Sequence, residues 1–123
     1  MSVFFYSKST KGAGQRLHAT IKTFVPNKEI KTFRTLDSLS QRLLHPKNDH
    51  DIVVLLAKSE KELRELVHMD DLLDDLRVIL ILPNREDGTI AEGHTLRPRF
   101  ITYTDSNFID VAGVLSKMLS TTH

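Results

Sequence analysis

The sequence predicts an α/β domain in which five parallel strands form one sheet with helices on both faces. Three observations predict it. Two short apolar runs, Asp51-Ile-Val-Val-Leu-Leu-Ala57 and Arg77-Val-Ile-Leu-Ile-Leu-Pro83, are continuous, rich in β-branched residues and bounded by polar or breaking residues. A strand with helices above and below it has no solvent face, and so shows no alternation of apolar and polar side chains. Helical periods separate these runs from one another and from three further strand candidates. Finally, 123 residues with 40% apolar and 27% charged side chains suit a single core, so residues 1–123 are expected to form one domain.

In chain order, Val3–Tyr6 is a short buried strand candidate. Leu17, Ile21 and Phe24 then recur at i, i+4 and i+7 in a helix that ends at Pro26-Asn27. Glu29–Arg34 is a more polar strand, as an edge position allows. Leu36, Leu39 and Leu43 follow at i, i+3 and i+7 behind Thr35 as N-cap, with His45-Pro46 as the stop. After the Asp51–Ala57 strand, Ser59-Glu60-Lys61-Glu62 has the form of a capping box ahead of Leu63, Leu66 and Val67. The Arg77–Pro83 strand leads into Gly88–Leu96, where Gly88 and Gly93 weaken any helix, so a short or mobile helical turn is expected. Phe100–Tyr103 is the last strand. A final helix is expected from about Ser106, with Phe108, Val111, Ala112, Leu115, Met118 and Leu119 on one face. Strands joined in this alternation, with right-handed crossovers, favour the flavodoxin-like order 2-1-3-4-5 in a three-layer sandwich.

Composition narrows the function classes. No Cys is present, which excludes thiol chemistry, disulfides and cysteine-built zinc sites. No apolar run is long enough to span a bilayer. The opening Met1-Ser2-Val3-Phe4-Phe5-Tyr6 has neither a basic n-region nor a cleavage pattern, so a cytoplasmic location is expected. The net charge of +1 conceals a division. Residues 1–47 carry nine Lys or Arg against Glu29 and Asp37, a balance of +7, and the remainder carries −6. The basic half (Lys8, Lys11, Arg16, Lys22, Lys28, Lys31, Arg34, Arg42, Lys47) raises the question of a nucleic-acid patch. A pI near 8.1, the lack of interleaved aromatics and the acidic second half argue against one.

In a doubly wound sheet, ligands bind beyond the carboxyl ends of the strands near the switch between strands 1 and 3. That places function at Ser7–Gly14, Ala57–Ser59, Pro83–Gly88 and Tyr103–Ser106. The topology, the length and the stretch Asp51-Ile-Val-Val-Leu-Leu resemble the receiver domain of two-component response regulators. The likeness covers nearly the whole chain in architecture and little of it in motif. The family places an acidic pair after strand 1, where this chain has Ser7 and Lys8. Its phosphoacceptor Asp ends strand 3, where Leu56 and Ala57 stand. Its Ser/Thr ends strand 4, here Leu82-Pro83, and its Lys ends strand 5, here Tyr103 or Thr104.

Magnesium needs carboxylate oxygens and an acyl phosphate needs an Asp, and Lys8 and Lys11 repel a divalent cation. The resemblance therefore implies a degenerate receiver, a pseudo-receiver without catalytic residues or cofactor. Such a module signals through a protein partner or self-association. Its first candidate contact face is built from the helix before strand 5, strand 5 and the last helix.

The alternative is a binder of a phosphate-bearing small molecule or nucleotide at Ser7, Lys8, Ser9, Thr10, Lys11, Gly12 and Gly14. Hydroxyls, lysines and a helix N-terminus together favour an anion, and the loop is similar to the phosphate loop of flavodoxins. Neither G-x-G-x-x-G nor a Walker A run is complete, because Leu17 occupies the third glycine position and no Gly-Lys-Ser/Thr closes the loop. A solvated loop whose glycines only permit its turn is the plain reading. Flavin finds no Trp and no aromatic cover in Lys58-Ser59-Glu60. The six His lack metal-ligand spacing, and His45 and His50 sit with Asn48, Asp49 and Asp51 at the amino end of a strand. Asp70-Asp71 and Asp74-Asp75 flank Leu72-Leu73 at the amino end of the next strand and read as solvated. No G-x-S-x-G elbow occurs, and Asp105-Ser106 reads as a helix cap as readily as a polar site.

Overall fold

The computed structural model describes residues 2–46 and 51–120. Its elements are β1 (Val3–Tyr6), α1 (Ala13–Phe24), β2 (Ile30–Phe33), α2 (Leu36–Leu43), β3 (Ile52–Leu56), α3 (Glu60–Val67), the single turn α4 (Asp70–Leu73), β4 (Arg77–Leu82), α5 (Asp87–His94), β5 (Phe100–Tyr103) and α6 (Ile109–Ser120). A 3₁₀ turn at Asn27–Glu29 precedes β2. The five strands form one parallel sheet in the order β2-β1-β3-β4-β5, a flavodoxin-like arrangement.

Register explains the unbroken apolar runs. Val3 pairs with Ile30 on one side and Ile52 on the other, and Val53 pairs with Val78, so β1, β3 and β4 are enclosed by neighbouring strands. Alternate side chains go to opposite layers. Phe4, Tyr6, Val53, Leu55, Val78, Leu80 and Leu82 meet Leu39, Leu43, Leu63, Leu66 and Leu73 of α2, α3 and α4. Val3, Phe5, Ile52, Val54, Leu56, Ile79 and Ile81 meet Leu17 and Ile21 of α1 and Val111 and Leu115 of α6. The edge strand β2 leaves Lys31 and Thr32 exposed, in keeping with its polar sequence.

Two helix starts follow their caps. The Thr35 hydroxyl accepts from Ser38 N, and the Ser59 hydroxyl from Glu62 N, each satisfying an otherwise orphan amide.

Three expectations need correction. Phe24 is 42% exposed, and Val25 fills the core in its place, because the chain turns extended at Val25 as α1 ends. Gly88–Leu96 is not merely a weak turn, since Asp87–His94 is a helix of eight residues. There Gly93 presses against β4, where a Cβ would stand 3.1 Å from Leu80 Cδ2 and Leu82 Cδ2. A glycine that lowers helix propensity is thus what lets the helix seat closely. The last helix starts at Ile109 rather than near Ser106. Phe108 has φ 64° and is fully buried. The αL cost of about 1–2 kcal/mol is offset by a ring in the core and by Ser106 Oγ accepting from Phe108 N at 3.0 Å. The aspartates between α3 and β4 are exposed or half-buried while Leu73 enters the core.

Candidate functional site at the carboxyl end of the sheet

The loop after β1 is built inward. Ser7 is fully buried, and its hydroxyl donates to Ser9 O at 2.8 Å. Ser9 Oγ accepts from Lys11 N at 3.1 Å. The Arg34 guanidinium, arriving from the end of β2, donates to Ser7 O at 3.2 Å and Ser9 O at 3.4 Å. Gly12 stands at φ 60°, a conformation that favours glycine. A Cβ on Gly14 would lie 2.4 Å from Ser9 O and 2.5 Å from Ser7 Oγ, so the loop folds directly onto the first turn of α1. Lys8, Thr10, Lys11 and Gly12 remain exposed. The seven residues singled out for an anion therefore divide. Ser7, Ser9 and Gly14 hold the loop together, and Lys8, Thr10, Lys11 and Gly12 face solvent.

Arginines brace the same end of the sheet. Arg16 Nη2 of α1 donates to Thr104 O at 2.9 Å and Ser106 O at 3.3 Å, with its guanidinium 5.4 Å from the Phe108 ring centroid. Arg85 pairs with Asp105 at 2.6 Å and lies 4.2 Å from the Tyr103 ring centroid. That hydrogen bond holds the Asp105 carboxyl below the usual carboxylate range. The basic half of the chain is thus partly spent on structure: Arg16 and Arg34 tie loops, and Arg42 stacks over Phe4 at 4.9 Å. Their charge was visible in the sequence, but their acceptors, mostly backbone carbonyls of distant residues, were not.

At the ends of the strands stand Ser7, Ala57, Pro83 and Thr104, the first two fully buried. Between α3 and α5 the structure adds a feature absent from the sequence reading. Glu60, Arg64, Glu86, Thr89 and Glu92 line a notch of about 220 Å³. Thr89 Oγ1 donates to Glu60 Oε1 at 3.0 Å. That bond, with contributions from Glu86 and Asn84, holds Glu60 below the usual range, and the interaction with Glu60 raises Glu86. A signal was available: Glu60 and Glu86 each stand four residues beyond the end of a strand, β3 and β4, and those strands are neighbours.

Tyr6 is fully buried, and its hydroxyl, like Glu62 Oε1 and Glu65 Oε1, has no hydrogen-bond partner among the described residues. Burial, then the nearby Glu62 and Glu65, pushes the Tyr6 phenol up to about 12. His18 stacks on Phe5 at 5.5 Å, and burial with Lys22 and Arg34 lowers its pKa. Among the described residues no group of three or more His, Asp or Glu side chains is placed to hold a metal ion. Lys47, Asn48, Asp49, His50 and His123 lie outside the described residues. No helix among the described residues is long and apolar enough to cross a membrane. No known family model matches the chain, and no curated protein matches it.

Proposed function

We propose that this chain is a non-catalytic regulatory module, receiver-like in architecture, that acts in the cytoplasm through contacts with a protein partner or with itself. The observation that carries the reading is the closure of the carboxyl end of the sheet. Where phosphotransfer needs converging carboxylates, Ser7 and Ala57 are buried, Lys8 is exposed, and Arg34 and Arg16 tie the flanking loops to backbone carbonyls. A magnesium ion would meet positive charge there, and no Asp stands in the phosphoacceptor position. A rigid, cross-tied surface suits recognition better than turnover. The test is exposure to a small phosphodonor with magnesium, read by intact mass. The expected result is no phosphoryl adduct, and a stable adduct on any carboxylate overturns the reading.

One observation favours a second reading, a phosphate-bearing ligand at the loop after β1. The N-terminus of α1 has no side-chain cap and no acid in its first turn, and Lys8 and Lys11 are exposed beside it. A thermal-shift panel of nucleotides, flavin and inorganic anions separates the two readings. Stabilisation lost in Lys8→Ala and Lys11→Ala would establish the second reading. For the module no lysine-dependent shift is expected.

A further inference from the structure

On the α1 side of the sheet, the His18 imidazole lies over Phe5, with ring centroids 5.5 Å apart and planes 22° from parallel. Phe5 is fully buried and pairs in register with Thr32 of the edge strand β2. Ile30 packs in the α1 layer and Phe33 in the opposite one, and this alternation sends Arg34 back toward α1. There its guanidinium donates to Ser7 O at 3.2 Å and Ser9 O at 3.4 Å, bonds that hold the loop after β1. An aromatic stack, a half-buried imidazole and the brace of that loop thus share one corner of the molecule.

A proton on His18 would add a third positive charge to those of Lys22, one turn along α1, and Arg34. No acid is among the charges acting on the ring. Glu29 lies ahead of β2 toward the amino end, Lys31 pairs with Phe4 and shares its opposite layer, and Asp37 belongs to α2 in that layer. On α6, Asp110 is bonded to Thr102 and Ser106, and Lys117 lines a cleft at the amino end. Arg16 is turned to Thr104 and Ser106, and Lys8 and Lys11 stand exposed in the loop. Burial, then Lys22 and Arg34, lower the His18 pKa from 6.5. The folded state therefore binds this proton more weakly than the unfolded chain. The stability tied to the neutral ring is complete above pH 6.5 and is lost as pH falls through the lower folded value.

We propose that His18 is a proton-operated latch on the loop after β1. The charged ring repels Arg34 and leaves Phe5 for water, Arg34 gives up Ser7 O and Ser9 O, and Ser7–Gly14 loosens. The latch works alike whether that loop meets a partner or holds a phosphate, so it rests on neither reading.

The test follows the full chain by NMR from about pH 7.5 to about pH 5. The His18 ring is expected to titrate below 6.5. Over the same interval the Ser7 and Lys11 amides, bonded to Phe33 O and Ser9 Oγ, are expected to lose protection from exchange. Corrected for the intrinsic pH dependence of exchange, one proton accounts for a loss of at most about tenfold per pH unit. His18→Gln is expected to remove this dependence. Lys22→Gln is expected to raise the His18 midpoint and to carry the loosening to higher pH with it. Lys22 is exposed, so that variant tests the latch even where His18→Gln disturbs packing. The proposal is overturned if protection stays level across the range, or if His18→Gln keeps the original pH dependence. It is overturned equally if the ring titrates at or above 6.5, or if Lys22→Gln moves the His18 midpoint and leaves the loop where it was.

Discussion

Single atoms decide much of this molecule. Gly14 has no room for a methyl group, whereas Gly113, exposed on α6, meets nothing within 4 Å. Gly14→Ala is therefore expected to destabilise the fold by about 1–3 kcal/mol. Gly113→Ala should stabilise it by about 0.5–1 kcal/mol, and paired chemical denaturation curves check both. Tyr6 supplies a pH dependence. Its folded pKa lies above the value of 10 expected for an exposed phenol, so the folded state holds the proton more tightly than the unfolded chain. The associated stability is complete below pH 10 and is lost as pH rises toward about 12. Tyr6→Phe is expected to flatten that alkaline limb in melts taken across this range. At neutral pH it should hold stability level or raise it by about 1 kcal/mol, because a buried hydroxyl without a partner is removed.

At the scale of elements, the strands and most helices were legible because local rules and burial agree. Val3–Tyr6, Ile52–Leu56 and, after Arg77, Val78–Leu82 are apolar because sheet neighbours and helices enclose them. Thr35 and Ser59 announced α2 and α3 through cap chemistry that needs nothing distant. Thr35→Ala and Ser59→Ala should each cost about 1 kcal/mol in the denaturation midpoint analysis, with α2 or α3 amides exchanging faster.

Where local and tertiary demands diverge, the sequence misleads. Gly93 reads as a helix breaker, yet its missing side chain is what Leu80 and Leu82 require. Phe108 falls on the right face for a helix and occupies the core from an αL turn that no periodicity encodes. The site shows the same limit. The composition of Ser7–Gly14 was plain, but the turn of Ser7 Oγ toward Ser9 O and the reach of Arg34 and Arg16 depend on residues many positions away.

Over the whole molecule, the charge division of the sequence does not become a division in space, and residues after 47 supply both of the clusters that line clefts. The acids beyond β3 and β4 gather as Glu60, Glu86 and Glu92 between α3 and α5, whereas Arg77, Arg99 and Lys117 collect at the other end of the strands. Each end is nonetheless mixed in sign, since Lys8 and Lys11 stand exposed at the carboxyl end with those acids and Asp51 lies beside Arg77 at the amino end. Strand order carries a further consequence, for synthesis. Of the five strands of this sheet, β1 is synthesised before the others and finishes near the middle, with β2 on one side and β3 on the other. Until β3 emerges, Val3-Phe4-Phe5-Tyr6 presents an open apolar edge that the finished fold conceals completely. The peptide 1–46 is accordingly expected to aggregate or remain without cooperative melting, whereas the full chain melts in one transition, as light scattering and calorimetry would record. The nascent chain is thus most in need of a chaperone's cover in the interval between the second helix and the third strand.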